Sequence, residues 1–303
     1  MVINNKINYK KYLQPEFISR LAGLDIIARL VVEGFITGLH RSPYHGFSVE
    51  FSEYRPYMPG DSVRNIDWKV LGRTERYYVK QFEEETNLRA YLLMDSSGSM
   101  GYTSTNITKL QYARYLGAAL TYLLLKQRDA AGLVTFSDQI QSYLPPRSVF
   151  SYLNQILIEM DSLKAEGKTR IADTFHILAE KIKKRGLIII LSDLFDDPDD
   201  ILTALKHFRH RKHEIIVFHI LDPMETQFSF DNDTVFIDME TQAKIQTLPK
   251  HIQGDYRHQI KQFLKKFKKE CFHHKIDYYP VHTSKPFDES LYHYLVKRKK
   301  IGG

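Results

Sequence analysis

The chain has very little cysteine. One residue in 303, Cys271, excludes any internal disulfide, which fits a reducing compartment. Cys271 sits in the helix-like run KKECFHHK and reads as a packed core residue. Long apolar runs are also missing. The longest uncharged one, from Tyr115 to Leu125, falls well short of the about 20 residues that a bilayer-spanning helix needs. The first apolar stretch, LAGLDIIARLVVEGF, is interrupted by Asp25, Arg29 and Glu33 and does not read as a signal peptide. These features predict a cytoplasmic protein without a membrane span. Tryptophan occurs once, at Trp68, and there is no internal repeat. The chain contains no G-x-S-x-G elbow, no Walker loop and no H-E-x-x-H helix, so the common nucleophilic, nucleotide-hydrolysing and zinc-protease signatures are absent.

What is present suits a globular fold. Apolar residues make up 43% and charged residues 26%, enough for a sizeable core. The net charge of +7 is a mild excess of the kind that solvated surfaces carry. Ile18, Leu21, Leu24, Ile26 and Ile27 predict one apolar helix face in a lead-in over residues 1–36. Residues 37–88 are rich in Tyr, Arg, Pro and Gly and predict a small β-rich segment. From residue 89 onward strand and helix alternate. Strands are expected at 89–95, 130–136, 187–192, 214–220 and 277–282, with a short edge strand at 139–144 stopped by Pro145-Pro146. Helices are expected at 108–127, 148–163, 170–184, 198–210, 251–274 and 287–298, with a polar insert between residue 220 and residue 251. Continuous apolar strands separated by helices predict a Rossmann-like, doubly wound, mostly parallel α/β sheet covered on both faces.

Such sheets collect ligands beyond the carboxyl ends of their strands. The run AYLLM delivers DSSGSM, residues 95–100, to that edge. Asp95, Ser97 and Ser99 offer one carboxylate and two hydroxyls, hard oxygen donors of the kind that magnesium or manganese takes. This resembles a metal-ion-dependent adhesion site, in which the ion holds a partner's carboxylate. Thr169 in GKTRIADTF and Asp193 in LSDLFDD fall in later loops at the same edge. Together they make a three-loop set, with Asp196 and Asp197 as nearby acids. An aspartyl-phosphate reading of Asp95 is weak, because Ser97 stands where those enzymes place a second aspartate as general acid. His207, His210 and His213 lie among Arg209, Arg211 and Lys212, which repel a metal. The basic helix HQIKQFLKKFKKE and the tail KRKK raise nucleic acid as a partner, but Phe263 and Phe267 at core spacing give that helix an apolar underside, and acidic residues are scattered throughout.

DSSGSM, with GKT and LSD downstream, resembles a von Willebrand factor A domain. The whole chain from about Leu13 onward resembles the family called domain of unknown function fifty-eight. The carriers are HRSPYHGFSVEFSEYRPYMPGDSVRNIDWKVLGRTERYYVKQFEEET, KLQYARYLGAAL, RDAAGLVTF, DMET and DYYPVHTSKPFDESLYHYL. Residue by residue, the resemblance implies Asp95, Ser97 and Ser99 in the first ion loop, Thr169 in the second and Asp193 in the third, holding Mg2+ or Mn2+. Leu194 departs from the broader pattern, where glycine is common. Within the hallmark EYRPYMPGDSVRNIDWK, two readings stand. Arg55, Asp61, Arg64 and Trp68 form a partner-facing patch, or the charges pair with one another while Trp68 packs inward. The resemblance further implies a non-enzymatic adaptor working with a MoxR-type AAA+ ATPase in chaperone-like maturation or assembly.

Overall fold

The computed structural model describes residues 23–39, 55–56, 71–72, 77–79, 88–167, 170–230, 234–239, 243–287 and 289–294. The chain divides into two compact units, Met1–Gly38 with Leu88–Gly303, and Leu39–Asn87. In the smaller unit the described strands are β1 (Arg55–Pro56) and β2 (Tyr78–Val79), an antiparallel pair.

The first described helix of the larger unit, α1 (Leu24–Leu39), buries Leu24, Ile27, Ala28, Val31 and Val32. Ile26, expected on that face, is half exposed instead. Its position, one residue before Ile27, turns it about 100° away on a helix. Strand β3 (Arg89–Asp95) leads through a single 3-10 turn, Gly98–Gly101, to helix α2 (Lys109–Lys126). A reciprocal capping box starts α2: the Thr108 hydroxyl accepts from the Gln111 N–H, and the Gln111 side chain accepts from the Thr108 N–H. There follow β4 (Ala130–Phe136), β5 (Ile140–Arg147), α3 (Tyr152–Ser162), α4 (Ile171–Lys181), β6 (Leu187–Ser192), α5 (Pro198–His210) and β7 (Glu214–Leu221). The polar insert contains a short helix, α6 (Pro223–Gln227), and a hairpin of β8 (Thr234–Ile237) and β9 (Lys244–Thr247). Helix α7 (Pro249–His273), strand β10 (Asp277–His282) and a helical stretch over 289–294, within the helix expected at 287–298, follow.

Among the described residues, six strands form one sheet in the order β10-β7-β6-β3-β4-β5, all parallel except the edge strand β5. Counted along the chain from the β5 edge, this is the doubly wound order 3-2-1-4-5-6. The order reverses between β3 and β6, so the crevice for a ligand lies above that pair. Helices cover both faces, as expected of strands that are apolar on both sides. On one face Gly117 of α2 lets the helix approach Met94, Leu191 and Met160. On the other, Phe175, Phe208 and Phe267 from α4, α5 and α7 pack with Leu93, Ile190 and Val217. Among the described residues no helix is long and apolar enough to cross a membrane.

The strand β5 runs through Pro145-Pro146 rather than stopping before them. An edge strand tolerates proline because one of its rows of N–H groups has no ladder partner to lose. A register shift between Ala131 and Leu133 marks the bulge that accommodates them. Gly132 sits at this bulge, where an added Cβ would lie 2.6 Å from the Leu144 carbonyl oxygen and 2.8 Å from the Pro146 nitrogen. Gly132→Ala is therefore expected to destabilise the protein by about 1–3 kcal/mol. Gly254→Ala, in α7 with open space around it, should instead stabilise by about 0.5–1 kcal/mol. Urea unfolding of both variants checks the pair, and similar shifts for the two would show that the bulge does not need glycine.

Candidate functional site

The parallel register places Met94 beside Leu191, so the next residues, Asp95 and Ser192, leave the sheet side by side at the switch point. Both oxygens of Asp95 are engaged. Oδ1 accepts from the Ser97 N–H at 2.9 Å and Oδ2 from the Ser192 hydroxyl at 2.5 Å. The Ser97 and Ser99 hydroxyls lie 3.1 Å apart. The Ser192 hydroxyl, donating to Asp95, joins the third loop to the first. The second loop is pinned to the first through its backbone: the Glu166 N–H donates to Ser96 O and the Gly98 N–H to Gly167 O. Thr169 itself lies outside the described residues, as do Asp61, Arg64 and Trp68. Arg55 belongs to β1 of the smaller unit.

The two acids after Asp193 have structural work. Asp196 accepts from the Ile171 N–H at 3.0 Å and so ties the third loop to the start of α4. Asp197 caps α5 by accepting from the N–H groups of Asp199 and Asp200. Leu194 adopts φ +50° with its side chain fully buried. The left-handed turn that a glycine would make is thus kept, and burial of an apolar side chain offsets the backbone strain. The same turn throws Phe195 outward. It is 69% exposed and lines a cleft of about 350 Å³ with Asp196, Tyr256, Gln259, Ile260 and Phe263.

Two residues that sequence reasoning missed complete the site. Lys109, at the first position of α2 and 1% exposed, donates to Asp193 Oδ2 at 2.8 Å and to Glu225 of α6. Glu225 is oriented by a second capping box, its other oxygen accepting from the Asp222 N–H at 2.8 Å. Local signals for both existed. T-K-L-Q marks a helix start with a cation at its positive end, and D-P-M-E is a capping box with proline at the first helical position. Nothing local shows that the two meet.

The electrostatics follow from burial. Asp95 is pushed up from 3.8 to about 7, first by burial and then by the charge of Asp193, against the hydrogen bonds from Ser192 and Ser97. Burial would raise Asp193 too, but the Lys109 ammonium more than reverses this and holds it below the usual carboxylate range. Burial would lower Lys109, yet Asp193 and Glu225 outweigh it and the net shift is upward. Glu225 is raised, chiefly by burial. Lys109 thus meets two carboxylates, Asp193 and Glu225, while Asp95 beside Asp193 has no cation of its own. With all of them ionised, the site carries an excess of two negative charges, which one divalent cation would neutralise. The donor set is all oxygen, and Ser97 and Ser99 supply uncharged ligands beside Asp95. The chemistry fits magnesium or manganese and offers no soft ligand for zinc or copper. Among the described residues no group of three or more His, Cys, Asp and Glu is placed to hold a metal without such hydroxyls. His213 spends both ring nitrogens on Gly186 N–H and Ile182 O, which removes it from any zinc set. Cys271 is buried, and burial followed by Glu270 pushes its thiol up to about 12.

Strand order defines a doubly wound, mostly parallel α/β domain. The chain belongs to the family described as protein of unknown function DUF58, which matches residues 53–266. It is 26% identical over 230 residues to uncharacterized protein Rv1480 of Mycobacterium tuberculosis, covering 75% of this chain and 72% of that protein. Mb1516 of Mycobacterium bovis matches with the same figures. Similar solved structures include the conserved hypothetical protein BatB from Bacteroides thetaiotaomicron, with TM-score 0.48 and 15% identity over 70% of this chain and 99% of that one. The VWA domain of SpRpn10 gives TM-score 0.40 and 14% identity over 67% and 93%.

The shift at Asp95 has a definite sign. A carboxyl whose native value lies above its unfolded value binds more protons folded than unfolded, so its contribution to stability falls as pH rises from about 4 to about 7. In EDTA, the wild type should lose stability relative to Asp95→Asn across that window, and Asp95→Asn should be the more stable of the two at pH 8. Thermal unfolding of both proteins from pH 4.5 to pH 8 measures this. Parallel curves would mean that Asp95 is not strained by its surroundings.

Proposed function

We propose that this protein is a non-enzymatic, magnesium-dependent protein-binding adaptor. The observation that carries the reading is the excess of buried carboxylate over cation at the switch point, next to two paired hydroxyls. In this reading Asp95, Ser97 and Ser99 hold the ion, with Thr169 from the second loop and Asp193 near it. When bound, Mg2+ supplies a position for an Asp or Glu carboxylate of the partner. Phe195 stands beside it, exposed over an apolar cleft, and gives the partner a second point of contact. Following the family resemblance, the partner is a MoxR-type AAA+ ATPase or its client, and the process is chaperone-like maturation or assembly. A hydrolytic reading has less support. Ser97, and not a second acid, stands two residues after Asp95.

Magnesium at about a hundredfold excess over its dissociation constant should raise the unfolding free energy by about 2.7 kcal/mol, and Asp95→Ala should abolish that increase. Capture of the candidate ATPase should occur with magnesium and fail with EDTA. Recovery of the same ATPase in both conditions would overturn the ion-dependent reading and turn attention to Arg55 and Trp68. Phe195→Ser should weaken capture while leaving the magnesium stabilisation intact. Undiminished capture by Phe195→Ser would remove the cleft from the interface.

A further inference from the structure

Helix α7 turns its apolar side, with Phe263, Phe267 and Cys271, into the core. Its opposite side carries a line of lysines. Lys261, Lys265 and Lys268 follow at intervals of four and three, with Lys269 beside them, and so share one outward ridge about 12 Å long. All four are exposed. None of them makes an ion pair among the described residues, although the flanks do: Lys266 pairs with Asp199 at 2.6 Å and Glu270 with Lys206 at 4.0 Å. The two acids of the helix lie off the ridge, Asp255 turned about 100° and Glu270 about 160° from its centre line. Like charges three and four residues apart cost a helix stability, and the buried face would pack the same with glutamine in their place. Phe272 continues the line one turn beyond Lys268 and is 80% exposed.

We infer that this ridge docks the protein on a bilayer surface that contains anionic phospholipid, with the lysines over the headgroups and the Phe272 ring dipping among them. Charge complementarity selects an anionic partner, and the side-chain types select lipid. Lysine is a point charge that meets phosphate or carboxylate without a fixed direction, which suits a fluid surface. The helix's one arginine, Arg257, is turned aside to the Gln227 carbonyl, so the ridge lacks the fork that reads guanine. Single strands need several rings along a channel, and the ridge has one ring at its end. An aromatic side chain in line with lysines is the make-up of a helix surface that lies at the headgroup level. Because α7 lies along one face of the sheet, docking through its outer side holds the sheet roughly parallel to the membrane. The edge that carries Asp95 and Asp193 then opens sideways, toward a partner held at the same surface. This docking is independent of any ion at that edge.

The test is co-sedimentation of the full chain with phosphatidylcholine vesicles, with and without phosphatidylserine, in EDTA so that no ion bridges protein and lipid. Binding is expected only to the vesicles with phosphatidylserine, at about 0.1 M salt, and should be lost at about 0.5 M, where charges are screened within a few ångström. Lys261→Gln/Lys265→Gln/Lys268→Gln should weaken binding about a hundredfold, at about fivefold for each lysine near the surface. Phe272→Ser should weaken it severalfold. Lys164→Gln/Lys183→Gln/Lys184→Gln removes the same charge from exposed positions elsewhere and should bind as the wild type does. Every substituted side chain is exposed, so wild-type melting temperatures are expected and report an intact fold. Undiminished binding by the ridge variant, an equal loss in the control variant, equal binding to neutral vesicles, or no binding at all would each overturn the proposal. Unchanged binding by Phe272→Ser would overturn insertion of the ring. Tighter binding to a DNA duplex than to the vesicles at equal phosphate concentration, lost in the same ridge variant, would overturn the bilayer and assign the ridge to nucleic acid.

Discussion

Two carboxylates delivered to one dry edge of a sheet repel each other, and the surroundings are arranged against that repulsion. The parallel pairing of β3 with β6 makes the encounter unavoidable, because it brings Asp95 and the Ser192-Asp193 step to the same level. In water the cost would be small; away from water it is several times larger. The structure answers differently on the two sides. Asp193 receives an ammonium, and Asp95 receives only a hydroxyl and an N–H. The asymmetry leaves Asp95 as the group in need of a cation. It also explains why the two acids shift in opposite directions although both are buried.

That asymmetry depends on long-range assembly, which is also why the sequence revealed only part of it. The strands were legible because LIIILS and EIIVFHI are continuously apolar and so had to be covered on both faces. Their order fixed the edge on which Asp95, Ser97, Ser99 and Asp193 appear. Pro145 and Pro146 misled because proline stops a central strand but not an edge strand, and edge position follows from the whole sheet. Lys109 and Glu225 are 116 residues apart in sequence. Each carries a local helix-start signal, and neither signal specifies a partner across the fold. Leu194 is a subtler case. The residue type suggested a different loop, yet burial of its side chain sustains the left-handed backbone that the loop requires.

The backbone ties among the loops explain how so charged an edge stays ordered. Ser96 and Gly98 bond to Glu166 and Gly167, Ser192 bonds to Asp95, and Asp196 bonds to Ile171. These contacts satisfy polar groups that would otherwise be buried without partners, and each links a different pair of loops. The apolar core beneath, with Phe136, Phe175 and Phe208 in edge-to-face contact, supplies the stability that the edge does not. Division of labour between a rigid sheet and a strained, charged rim is what a binding site on a doubly wound fold requires.

The choice between binding and catalysis turns on what the hydroxyls are near. A serine acting as nucleophile needs a base within hydrogen-bond reach and a third group to orient that base. Ser97 faces Ser99, another hydroxyl, and the buried imidazole of His219, which feels the charge of Asp193, bonds through Nδ1 to Tyr278. Burial drives His219 down to about 4, despite the pull of Asp193 in the other direction, so it is neutral at physiological pH. Its neutrality matters to the charge balance, since a second cation beside Lys109 would halve the negative excess of the cluster. An apolar shell of Phe263, Phe267 and Tyr278 around the ring keeps it that way. The aromatic packing behind β7 therefore keeps a second positive charge away from the rim, a condition on which the proposed ion site depends.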